Sequence, residues 1–175
     1  MKTVLHLLSH EFKLELRNKT VLGSIFLYVI STIFLCFIAL KKFDDIHLFN
    51  TLFWIITVFT SLNAAIKSFA NESSNKQLYI YTLVPPQALI LSKIIYNSIL
   101  ISCITALNLL LFGFLFDFKF YESMNFEMYA TAAFLGCLGL STILTLVSAI
   151  ASKTNNNIGL ISILAFPLIL PLLLT

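Results

Sequence analysis

Long apolar runs separated by short polar links dominate the chain. Residues 21–40 carry no charge, and comparable runs occupy 48–66, 90–116, 128–151 and 158–175. A helix needs roughly 20 apolar residues to cross a ~30 Å hydrocarbon core, so each run is read as a membrane span. Residues 1–20 are patterned differently. Val4, Leu5, Leu8, Phe12 and Leu16 recur at helical spacing, Glu11, Glu15 and Lys19 take another face, and Lys13 and Arg17 form a further polar stripe. Such a helix is too polar to span. It is expected to lie in the interface plane with its cations near the headgroups, the alternative being a cytosolic helix packed on a partner. The pattern therefore predicts an all-α polytopic membrane protein, one domain over 1–175, with an N-terminal amphipathic helix and five transmembrane helices.

The stretch 67–86 is the most polar internal segment. Glu72 and Lys76 precede Leu78, Tyr79, Tyr81 and Leu83, and Pro85 and Pro86 close it. Proline disfavours α geometry in the residue before it, so a short surface helix should stop ahead of the pair. Charge beside exposed aromatic and aliphatic groups is the make-up of a protein contact, and an ordinary interfacial linker is the plainer alternative. Pro167 and Pro171 interrupt the last run, where a proline kinks or breaks a helix. That run has no polar flank after it, so the sequence is expected to be a truncated chain or a fragment.

Composition sharpens this picture. The chain is 59% apolar and 11% charged, against about 45–50% and about 25% for soluble domains. An ordinary soluble domain, a disordered tail and a nucleic-acid-binding module are excluded. With five spans, alternate links fall on opposite sides. One side holds Lys2, Lys13, Arg17, Lys19, Lys67, Lys76, Lys93 and Lys153; the other holds only Lys41, Lys42 and Lys119. The positive-inside bias places the N-terminus and the central link in the cytoplasm. Lys93, at the mouth of the third span, is expected to snorkel to water.

Catalytic chemistry is scarce. Cys36, Cys103 and Cys137 sit in apolar runs with no C-x-x-C spacing, which reads as small buried residues. His6 and His10 share a helix face and Glu11 is adjacent, but no cysteine or acidic group completes a tetrahedral set, and His47 stands alone in a link, so no metal site is assigned. There is no G-K-[ST] phosphate loop, zinc helix or nucleophile elbow, so ATP hydrolysis would have to come from another polypeptide. Asn63, Asn97 and Asn108 read as helix-packing or loop polars. Gly136, Cys137, Gly139 and Ser141 make a small-residue face suited to close helix packing.

Several segments together resemble the CcmB permease family of cytochrome c maturation, within the ABC-2-type exporters. They are Glu11-Phe12-Lys13-Leu14-Glu15-Leu16-Arg17, Ser68-Phe69-Ala70-Asn71-Glu72, the run from Gln77 to Pro85, Ile90-Leu91-Ser92-Lys93, and the run from Phe166 to Pro171. Their order and spacing carry the likeness over nearly the whole chain. The resemblance implies a six-helix permease of which five helices are supplied, in the bacterial inner membrane, without catalytic residues or a firmly bound cofactor. It implies an ATP-binding partner, CcmA, the membrane proteins CcmC and CcmD, indirect contact with the haem chaperone CcmE, and haem as the handled substrate. Glu72, Lys76, Leu78, Tyr79, Tyr81 and Leu83 would then form the ATPase-coupling segment. Phe12, Lys13, Leu16 and Arg17 would belong to the interfacial helix. The family's acidic, glycine-containing stretch is reduced here to 71–75, with one acid and no glycine. Two other readings stand beside this one: a secondary carrier, which needs repeats with broken midplane helices, and a scaffold subunit that transports nothing.

Overall fold

Hydrocarbon offers no hydrogen-bond partner to a peptide group, so an apolar run satisfies its own backbone by coiling into a helix. The computed structural model describes residues 2–17, 19–40, 46–70, 84–115, 125–152 and 158–173. They form six helices: α1 (Lys2–Arg17), α2 (Lys19–Leu40), α3 (Ile46–Ala70), α4 (Pro86–Leu115), α5 (Phe126–Ser152) and α6 (Ile158–Leu173). Among the described residues three stretches are long and apolar enough to cross a membrane: His47–Ser68, Pro86–Leu115 and Phe126–Ala151. The apolar parts described in α2 and α6 are shorter, Gly23–Ala39 and Ile163–Leu173.

The helix ends depart from the sequence pattern. The third helix runs on to Ala70, through Lys67 and Ser68, and α4 opens on Pro86 itself. A proline costs nothing in the first turn, where its missing N–H would have no intrahelical partner, and Ala88 N–H donates back to the Pro85 carbonyl at 3.0 Å. The link between α3 and α4 is therefore 71–85. Pro167 and Pro171, marked as breaks by the pattern, stand inside α6, which continues to Leu173. Neighbouring helices make such prolines tolerable in membrane segments, so the last run is one helix and not two.

Cross-helix contacts fix the directions. Asn97 meets Thr145 and Thr105 meets Cys137, so α4 and α5 run antiparallel. Asn108 meets Thr57 and Lys93 meets Ser68, so α3 and α4 are antiparallel too. Two apolar clusters fill the space between. One joins Ile25, Val29 and Ile33 of α2 to Phe49, Phe53 and Ile56 of α3 and Phe112 of α4. Its aromatic rings meet edge-on, Phe49 on Phe112 at 5.2 Å between centroids and Phe53 on Phe112 at 6.0 Å. The other joins Val58, Leu62 and Ala65 of α3 to Leu140, Leu144 and Val147 of α5 and Ala165 and Ile169 of α6.

Small residues set how close α5 comes to its neighbours. A Cβ on Gly136 would stand 2.5 Å from the Trp54 ring, and one on Gly139 would stand 2.5 Å from a Leu172 methyl. The leucine methyl can swing aside, whereas the indole moves only as a rigid plate. Gly136→Ala is therefore expected to cost about 1–3 kcal/mol by overpacking, and Gly139→Ala less. Trp54 is the only tryptophan. Its emission should shift in Gly136→Ala and not in Gly139→Ala, with thermal unfolding in detergent giving the stability order.

Candidate functional site

Four helices converge at the end of the bundle where α3 stops and α4 begins. The last carbonyls of a helix lack intrahelical partners and carry the negative end of its dipole, which draws cations. Lys93, in the second turn of α4, puts its Nζ 3.4 Å from the Ser68 carbonyl in the last turn of α3. The same ammonium lies 3.6 Å from Oε1 of Glu11 on α1. Its side chain is only 1% exposed and that of Glu11 21%. Lys67, one residue before Ser68, donates to the Ser24 hydroxyl of α2. A lysine expected to snorkel to water is thus buried, because α1 packs across the start of α4 and supplies the countercharge.

That placement also turns α1 relative to the expected face. Val4, Leu7, Leu8, Glu11 and Phe12 are partly buried, while Leu5 is 66% exposed. The Phe12 ring meets Tyr96 of α4 edge-on at 5.1 Å. Lys13 is exposed, and Leu16 and Arg17 lie in the last turn of α1. His6 and His10 are exposed on the same helix, His47 is exposed on α3, and among the described residues no His, Cys, Asp and Glu gather as a metal site. Glu72, Lys76, Leu78, Tyr79, Tyr81 and Leu83 lie outside the described residues.

From this junction a polar seam descends between the helices. Asn97 donates to Thr145 at 3.0 Å, Ser98 to Ser141 at 3.0 Å, Thr105 and Cys137 share a contact of 2.7 Å, and Asn108 donates to Thr57 at 2.8 Å. The Thr57 hydroxyl in turn donates a hydrogen bond to the Phe53 carbonyl at 2.7 Å. At ~1.5 Å per residue, Lys93 to Asn108 covers about 22 Å of α4. At the far end of the bundle, a partly open cavity of about 660 Å³ is lined by Asn50, Trp54, Tyr129, Gly136 and Leu172, with the Tyr129 hydroxyl donating to Asn50 at 3.2 Å. Asn97 and Asn108 were legible as packing polars. The buried lysine and the tilt of α1 were not, since periodicity within one helix does not say which neighbour meets it.

The seam makes an asymmetric prediction. The Asn108 amide oxygen has no hydrogen-bond partner among the described residues, so the side chain already buries one unmet acceptor. Thr57→Val would add an unmet donor and should cost about 1 kcal/mol, whereas Asn108→Leu removes the whole amide and should cost less. Thermal unfolding of the purified chain in one detergent checks the order, and the double variant should recover much of the Thr57→Val loss.

No curated protein and no solved structure matches the chain. The model of the CcmB protein family aligns with residues 2–175, the span that contains the buried Lys93 junction, the polar seam and the three long apolar helices. On that coverage the chain belongs to the CcmB family.

Proposed function

We propose that the chain is the membrane permease subunit of an ATP-driven complex for cytochrome c maturation. Family membership over residues 2–175 is the observation that carries this reading, and the polytopic helical architecture agrees with it. The chain contains no G-K-[ST] phosphate loop, so the ATPase is the CcmA subunit, with CcmC and CcmD as membrane partners. The work done is export of haem or release of the haem-loaded chaperone CcmE. Haem and CcmE are cargo and client here, and the chain itself is not an enzyme.

In this reading α2 to α6 are five spans in the bacterial inner membrane, with the N-terminus and the 71–85 link in the cytoplasm. The link docks in a groove of the ATPase. Glu72 pairs with a basic residue there, Lys76 lies beside it, and Leu78, Tyr79, Tyr81 and Leu83 supply the buried anchors that dominate interfaces. Closure of the ATPase on ATP then tilts α3 and α4, which the link joins. Lys13, Leu16 and Arg17 hold the far end of α1 at the bilayer surface.

Tyr79→Ala should cut recovery of the ATPase in a pull-down on the tagged permease by tenfold or more, the loss of a roughly 2 kcal/mol anchor. Undiminished recovery would remove the anchor role. Orientation is read separately. With the native cysteines replaced, a cysteine at Glu72 should react with an impermeant maleimide in inverted vesicles and not in right-side-out ones. The opposite pattern would overturn the cytoplasmic placement and the motor-driven mechanism together.

A further inference from the structure

We propose that the Lys93–Glu11 pair is the joint that makes α1 move with the two helices flanking the 71–85 link, so that Lys93 and Glu11 are positioning residues for coupling. The inference rests on the reading above, in which that link meets the ATPase. It goes beyond it by naming the contact through which the rest of the bundle senses the link.

The geometry is specific. The link leaves α3 two residues after Ser68 and enters α4 seven residues before Lys93. The Lys93 ammonium bridges these two helices through the Ser68 carbonyl, and α1 through Glu11. Lys67 extends the same turn of α3 to Ser24 of α2. A displacement of either end of the link thus reaches α1 and α2 without passing through the bilayer core.

Stability alone gives little reason for an ion pair at this place. Burying two charges costs several kcal/mol per ion before their attraction repays it, and apolar residues of similar volume often hold a fold as well or better. Phe12, Leu8 and Leu7 already give α1 an apolar seat beside Tyr96. What apolar packing does not supply is a directional contact. An ammonium in contact with the Glu11 carboxylate and the helix-end carbonyl of Ser68 sets the register and rotation of α1 against α3 and α4.

The test uses the full chain in lipid nanodiscs, alone and with its co-expressed ATPase, with Cys36, Cys103 and Cys137 replaced by serine. Spin labels are placed on cysteines at exposed Ser9 of α1 and exposed Leu91 of α4. The variant is the double substitution Glu11→Leu with Lys93→Met, which removes both charges of the described pair together, and thermal unfolding in detergent checks that it folds as the parent does. The joint predicts one narrow label–label distance in the parent that shifts with ATP. In the double variant the distribution should broaden and the shift should vanish, while ATPase recovery stays at the parent level and permease-stimulated ATPase falls about tenfold. A double variant with the parent's narrow distance, or with its full response to ATP, would overturn the joint. If no ATPase is recovered even with the parent, the coupling reading fails. The distance width in the chain alone then still judges the joint: broadening supports it, and an unchanged width overturns it.

Discussion

A lysine side chain with 1% of its surface exposed sets the terms for this whole end of the molecule. An ammonium out of water needs a countercharge and hydrogen-bond acceptors. Glu11 supplies the charge and the Ser68 carbonyl an acceptor. To do so α1 must cross the start of α4, and α3 must end beside it with its dipole pointing at the cation. The placement of three helices therefore follows from one buried charge. Truncating Lys93 or Glu11 singly removes one half of a largely desolvated ion pair, which is costlier than replacing both by apolar groups.

Below the junction the usual arrangement of a soluble core is partly inverted. Leu27, Leu35, Leu110, Phe114, Leu135 and Ile163 lie outward, while Thr57, Thr60, Asn97, Thr105, Asn108, Ser141 and Thr145 are buried. In water the exposed leucines and phenylalanines would be an aggregation hazard. In lipid they cost nothing, and for the same reason they give the helices no motive to associate. Association then falls to close packing and to hydrogen bonds between helices. Gly136 and Gly139 admit Trp54 and Leu172, and the seam from Asn97 to Asn108 ties α4 to both α3 and α5. Many hydroxyls also bond the carbonyl one turn back, as Thr60 does to Ile56 and Thr105 to Ile101, so few buried polar groups depend on the neighbouring helix alone.

How much of this was legible in the sequence depends on whether the signal is local. Charge-free runs disclose helices because length and polarity are properties of one segment, and the polar amides within them read correctly as packing groups. Helix ends were less legible. Lys67 and Ser68 looked like link residues because they are polar, yet a helix end beside a buried cation is stabilised where composition would stop it. Leu5 and Glu11 exchanged roles for a similar reason. Periodicity places both on definite faces of α1, but which face turns inward was decided by Lys93, more than eighty residues away. At Pro167 and Pro171 the sequence left a kink or a break open, and the helix that continues through both to Leu173 excludes only the break.

Stiffness connects the two ends of the bundle. A helix transmits displacement along its axis because every turn is bonded to the next, and α4 is an unbroken helix from Pro86 to Leu115. Lys93 near one end and Phe112 near the other therefore move as parts of one rod. Phe112 packs on Phe49 and Phe53, which lie on α3 next to the Asn50 and Trp54 that line the cavity. A tilt that separates α3 from α4 at the Ser68 carbonyl would thus be felt at those rings. The seam between them resists that tilt most at Asn108 and Thr57, where a direct side-chain bond crosses from α4 to α3. That bond lies between the Lys93 junction and the rings of Phe49, Phe53 and Phe112, so it ties α4 to α3 between the charged end and the wall of the cavity.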